Sequence, residues 1–459
     1  MLFVSYGESI IIMLRIAGRG RILIIAAVLC GLVVAGVVIA ATRAPGSPAD
    51  KPIATTLDCP ANQPIAKALS SGSSWAMCWR IDPYSGLTLE QIHFTPVGRA
   101  PIQILDSLAI GQLEVPYDTG ERTTEDITDH GFGGRNLQSL VETECTGELQ
   151  TTFVPNFGDG KVGGGEDRPV LCIEEVDTGI AYRAQSGGKV DVARGTGLSL
   201  STISKVGWYE YVNSYVFGAD GSIRPALGAT GDLSPEDYTD DPLQGRPVGP
   251  GNSDQAATHS HNAVWRLHWA LGGRGGQRVE QYDADFTGRT GPKSPELSGE
   301  LTPIAAETTR TLENRRWWRI VNPAVLNDDQ HPISYQIEIG DTDSYRFSDE
   351  SHDHQDGQSH EPAYDIAFSQ FAECERFATK NRDCPQRSVL GYVGDQAPLD
   401  DVVSWVAVGF HHVVRDEDQS PMDLHWQGFT LLPRDLTAQR ADLPEGRTKI
   451  NGKPEPGSR

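Results

Sequence analysis

Positive charge is what this chain has least of. Its 39 Lys and Arg stand against 62 Asp and Glu, a formal net charge of −23. That balance argues against electrostatic attraction to nucleic acid or to an anionic membrane surface. The seven cysteines form no C-x-x-C, so zinc-ribbon and thioredoxin-like readings lose their main support. Long windows of helical periodicity are scarce and no internal repeat is visible, which leaves a fold built from short strands.

The strands are there to be read. Short runs rich in Val, Ile, Tyr and Trp alternate with clusters of Gly, Asp, Asn and Pro, and residues 87–94, 206–217, 263–270, 334–339 and 402–408 have the pattern of strands. The expected class is all-β, a large β-sandwich over residues 61–440. Length does not count the domains, because all-β folds often run long as one. Residues 156–168, 234–254 and 348–361 read as loops, and the polar residues 441–459 as a disordered tail.

One apolar run is long enough to span a bilayer. Residues 22–41 are uncharged and follow Arg15, Arg19 and Arg21, which predicts a transmembrane anchor with residues 1–21 inside and the domain outside the cytoplasm. Residues 42–60, rich in Ala, Pro and Asp, read as a linker. A cleaved signal ending near Ala40 and Ala41 is the rival. Cys30 falls in this run, and the other six cysteines form an even set suited to an oxidising compartment. Proximity in sequence suggests Cys59 with Cys78 and Cys374 with Cys384.

Chemistry enters with His259-Ser260-His261. Side chains two apart on a strand point the same way, so both imidazoles could grip one metal ion, with a distant third histidine completing the set. Three neutral imidazoles and an open position suit copper or zinc. By itself such a pair is a weak signal. His352-Asp353-His354 repeats it, with His360 nearby among carboxylates, where a solvated acidic loop is the plainer reading and weak metal binding the alternative.

Taken in order, several motifs resemble the catalytic domain of the copper amine oxidases, over about residues 75–436. In that family a tyrosine in an Asn-Tyr-(Asp/Glu) motif is converted by the enzyme's copper into topaquinone. Tyr209 in Gly207-Trp208-Tyr209-Glu210 matches it, followed by Tyr215-Val216-Phe217-Gly218 and Gly228-Ala229-Thr230-Gly231. His259 and His261, ahead of Val264-Trp265-Arg266-Leu267, resemble the paired copper ligands. The third is placed at His412 by the pattern His-Val-x-Arg-x-Glu-Asp, His411 lying one position too early. Leu113-Glu114-Val115-Pro116-Tyr117 resembles the segment whose tyrosine orients the quinone, and Asp129-His130-Gly131 resembles the run that supplies the catalytic base, with Asp126 as a fallback. Without the family order, Asp129 reads as a turn residue and Tyr117 as a packed strand tyrosine. Arg316-Trp317-Trp318-Arg319-Ile320 and Ser334-Tyr335-Gln336-Ile337 resemble later strands, and the resemblance also pairs Cys145 with Cys172.

The resemblance implies oxidative deamination of a primary amine to an aldehyde by dioxygen, with release of ammonia and hydrogen peroxide, in a homodimer. An acidic surface would raise the local concentration of protonated amines, although solubility of an exported protein accounts for it more simply. Two departures stand out. Trp208 replaces the family's small amide before the tyrosine, and His268 and Ala270 stand where acidic residues hold a peripheral calcium, leaving Asp401. One carboxylate does not make a calcium site, so none is expected. The small domains that precede the catalytic one in larger members are not expected either. The alternatives are a degenerate relative acting as a copper-binding or structural module, and a metalloprotein whose Tyr209 stays unmodified.

Overall fold

Antiparallel pairing gathers the strands into two large sheets. The computed structural model describes residues 56–59, 63–121, 123–158, 161–186, 188–340, 342, 364–444, 446 and 449–454. Residues 22–41, the expected anchor, and His352, His354 and His360 lie outside the described residues. Among the described residues no helix is long and apolar enough to cross a membrane.

The first sheet runs Pro64–Ala68, Ser74–Asp82, Gly86–Thr95, Ile102–Pro116, His259–Trp269, Val402–His412, Ile366–Gln370 and Thr308–Arg310, with Thr123–Glu125 beside Ile102–Pro116. The second runs Pro295–Ile304, Arg278–Thr290, Trp317–Leu326, Pro332–Ile339, Met422–Arg434, Ile223–Gly231, Tyr209–Gly218, Lys189–Val206, Lys161–Ser186 and Glu148–Gly158. Their inner faces share one apolar core, as the expected sandwich requires. Trp265 packs edge-on against Phe429 with ring centroids 5.5 Å apart, and Trp75 meets Phe217 at 5.0 Å. Each such aromatic pair adds about 0.5–1.5 kcal/mol beyond the area it buries. The Trp75 indole N–H donates to the Gly218 carbonyl at 2.9 Å, so burial leaves that polar group satisfied.

Burial alternates along Tyr209–Gly218, whereas His259–Trp269 is buried almost throughout. The first strand shows water one face, and the second lies at the centre of its sheet. Cys59–Cys78, Cys145–Cys172 and Cys374–Cys384 are disulfides, as expected. The first ties the end of the linker to the second strand.

Three expectations change. Residues 206–217 are not one strand: Val206 ends one and Tyr209 begins the next, and the two residues face each other across a turn at Gly207, whose φ of +61° suits glycine. Residues 156–168 are not a loop, since Glu148–Gly158 pairs with Lys161–Ser186 in a hairpin. Within the expected disordered tail, Lys449–Ile450 pairs with Lys453–Pro454 around Asn451-Gly452, both at positive φ. Asn-Gly is the preferred sequence for such a two-residue turn.

Candidate metal centre

Register brings the three histidines together. His259 pairs directly with His412 across the neighbouring strands His259–Trp269 and Val402–His412, and His261 faces Phe410. Alternation turns His259 and His261 to the same side. His411 goes the other way: it is exposed and meets Asp118 at 2.9 Å. The choice of His412 over His411 therefore follows from the pleat. One nitrogen from each of His259, His261 and His412 lies within 4.8 Å of the others, and all three residues are buried.

Hydrogen bonds determine which nitrogens keep a lone pair. The Ala257 carbonyl lies 3.0 Å from His259 Nδ1, so Nδ1 donates there and Nε2 faces the cluster as an acceptor. His412 Nε2 donates to Asp418 at 3.0 Å, which leaves Nδ1 facing His259 at 3.3 Å. His261 Nε2 is buried with no hydrogen-bond partner. An orphaned imidazole nitrogen beside two other lone pairs is an unfavourable arrangement unless something fills it. Burial, with His412 adding, pushes His259 down to about 4, and burial pushes His261 well below its ordinary value. Burial lowers His412 as well, against the opposing pull of Asp418. The three rings are therefore neutral at physiological pH, the form that binds a metal.

Tyr209 completes the group from the opposite sheet. Its hydroxyl donates to His259 Nε2 at 2.9 Å and lies 3.4 Å from His412 Nδ1. Burial first, then the neighbouring Tyr117, raises its pKa and keeps the phenol protonated. Tyr117 stacks on the His259 ring at 4.7 Å, holding that ligand's plane. Trp208 is 43% exposed at the turn.

Asp129 stands apart from this group. It sits in a single π-helical turn, Asp126–His130, and its half-exposed carboxylate pairs with Lys380 at 3.5 Å and Arg382 at 3.2 Å. The Asp126 side chain lies outside the described residues. Nearby, a side chain on Gly133 would collide with the Asp82 carbonyl, which gives that glycine a packing role. Asp401, the lone carboxylate from which no calcium site was expected, is engaged by His268 at 2.7 Å and by Arg274 at 2.9 Å.

Three further residues were not assigned from sequence. Asp418 is buried, and although burial opposes its charge, the Arg415 N–H, His412 and His425 hydrogen-bond it and hold its pKa below the usual carboxylate value. His425 lies 3.1 Å from Asp418, and Tyr211 places its hydroxyl 3.5 Å from His261 Nδ1. Asp418 closes the motif that placed His412, but no local pattern marks His425 as its neighbour or Tyr211 as a neighbour of His261.

Known proteins carry the same frame. The family model described as "Copper amine oxidase, enzyme domain" matches residues 70–445. Histamine oxidase of Arthrobacter globiformis is 27% identical over 79% of this chain and 55% of its own length. Primary amine oxidase 2 of Arabidopsis thaliana is 24% identical over 77% of this chain and 54% of its own. The chain thus spans little more than half the length of these curated relatives. Among solved structures, a copper-containing benzylamine oxidase from Hansenula polymorpha superposes with a TM-score of 0.69 at 20% identity, covering 85% of this chain and 64% of that one. With the family model spanning most of the sandwich and the motifs falling in its order, this chain belongs to the copper amine oxidase family.

Proposed function

We propose that this chain is the catalytic domain of a primary-amine oxidase that uses copper(II) and a topaquinone made from Tyr209. The observation that carries the reading is the Tyr209 hydroxyl lying against the lone pairs of two histidines, beside a third whose Nε2 has no partner. Three neutral imidazoles in a buried pocket fit copper. Copper bound there would activate the tyrosine ring toward dioxygen, and the resulting quinone would supply the electron sink that loss of an amine α-proton requires.

The chain's own residues do the rest. His259, His261 and His412 hold the metal, and Tyr117 fixes the ring of the first by stacking and orients the cofactor. Asp129 is the assigned base. Its carboxylate is an acceptor-only group that is held by Lys380 and Arg382 in this structure, and catalytic contacts often tighten only once substrate is bound. The reaction oxidises the amine and, with water supplying the carbonyl oxygen, yields an aldehyde and ammonia while dioxygen is reduced to hydrogen peroxide.

Copper-loaded, aerated protein is expected to develop a visible quinone absorption that phenylhydrazine shifts, while Tyr209→Phe abolishes the colour and keeps the copper. Stoichiometric copper without colour would show a metalloprotein with an unmodified tyrosine. Loss of both would show a structural relative.

The proposed partner in assembly is a second copy of this chain. Ile180, Val190 and Val192 on one hairpin, and Phe286, Leu297 and Leu301 on another, are exposed apolar residues that a second copy would cover. Sedimentation should give a dimer mass, and a monomer at micromolar concentration would refute it. The three disulfides support the extracytoplasmic placement proposed from residues 22–41.

A further inference from the structure

We propose that His425 is a positioning residue for the copper centre, acting on two of its ligands from the opposite sheet. The inference rests on the copper reading above and concerns residues that reading does not use. His425 lies on Met422–Arg434 in the second sheet, paired with Ala229, whereas His412 ends a strand of the first. Between them sits Asp418, buried, with one oxygen 3.0 Å from His412 Nε2 and the other 3.1 Å from His425 Nε2. The Arg415 N–H donates to the same oxygen that receives His412, at 2.9 Å, so the carboxylate cannot turn without losing a backbone bond.

The first path from His425 runs through that carboxylate. Held in place, Asp418 keeps the proton of His412 on Nε2 and the lone pair on Nδ1, which faces His259 and Tyr209. A carboxylate hydrogen-bonded to the far nitrogen of a ligand histidine fixes its tautomer and ring orientation and makes it a stronger donor. His425 holds the carboxylate's second oxygen at 3.1 Å, where the Arg415 guanidinium comes only to 3.5 Å, so His412 is oriented in part from the other sheet.

The second path runs through an aromatic stack. The His425 ring lies 5.7 Å from Phe410 at an interplanar angle of 20°, and Phe410 lies 4.9 Å from His261 at 19°. Among the described residues His261 Nε2 has no hydrogen bond, and its Nδ1 meets only the Tyr211 hydroxyl at 3.5 Å, so the orientation of this ligand depends largely on such packing. The His425 ring also lies 4.6 Å from that of His412. One half-buried imidazole therefore touches the supports of two ligands and spans the two sheets that hold the copper ligands and Tyr209 apart.

The test is copper binding by the full chain, read by competition with a chelator and by Cu(II) electron paramagnetic resonance. His425→Ala is expected to weaken copper binding about 10- to 100-fold and to broaden or shift the copper hyperfine pattern. His425→Asn, which keeps a donor on a shorter side chain, should recover part of the affinity. Thermal melting of the copper-free variants reports whether each is folded. Unchanged affinity and an unchanged copper spectrum in folded His425→Ala overturn the inference while leaving the copper reading intact. Failure of the unaltered chain to bind copper overturns both.

Discussion

His261 and His268 lie on one strand, both fully buried, and they have opposite chemical fates. His261 faces inward, toward the second sheet, where its neighbours include the rings of Tyr209 and Tyr211 and no carboxylate among the described residues touches it. His268 has the other parity. Its Nδ1 lies 3.1 Å from Asp106, its Nε2 lies 2.7 Å from Asp401, and its ring stacks on Phe371 at 4.1 Å. A buried histidine is available to a metal only where its surroundings leave a nitrogen unclaimed. Burial alone does not distinguish the two, and neither does residue type. The partners supplied by adjacent strands do.

The largest expected effect tests that contrast directly. His261→Ala should weaken copper binding by more than the roughly 100-fold typical of losing an outer partner, because a ligand itself is gone. His268→Leu should leave copper affinity within about two-fold and lower folding stability by about 2 kcal/mol, since the hydrogen bond to Asp401 and the close polar contact with Asp106 are lost. Chelator competition and urea denaturation read the two effects separately. If His268→Leu also released copper, the two ends of the strand would not be independent, and the distinction drawn from their partners would fail.

The same contrast explains how far the sequence could be read. His259, His261 and Tyr209 were legible because strand alternation and short motifs are local properties, and the all-β sandwich followed from many short alternating runs. His412 was legible through its motif, and the pleat then explained why His411 is excluded. What sets the ligands' lone pairs was not legible. Asp418 reaches His412 by folding back through the short turn Asp416–Asp418, and His425 arrives from the opposite sheet. Neither contact has a sequence period. The hairpin over residues 156–168 was hidden for a different reason: its Gly- and Asp-rich composition resembles a loop, and pairing between neighbouring strands overrides that weak preference. Asp129 was proposed from its motif, and its surroundings were not legible, because Lys380 and Arg382 come from a distant loop between Cys374 and Cys384.

The smallest expected effect concerns Trp208, where the chain departs from its family next to the tyrosine that matters most. The concern raised by the sequence was bulk: an indole in place of a small amide beside the tyrosine proposed as the quinone precursor. The structure places that bulk at a partly exposed turn. Gly207 and Trp208 form the turn between two strands, the indole is 43% exposed, and the residue's fixed contribution is its backbone carbonyl, which accepts the Asp232 N–H at 3.1 Å. Any residue at this position keeps that carbonyl. Trp208→Asn should therefore change stability by less than about 0.5 kcal/mol, as surface substitutions usually do, and leave copper affinity unaltered. The rate at which colour develops after copper and air are added is the sharper readout, because a side-chain amide at this position could only matter by touching the maturing ring. An acceleration of ten-fold or more in the Asn variant would show that residue 208 takes part in maturation, and that the departure at Trp208 slows the conversion of Tyr209.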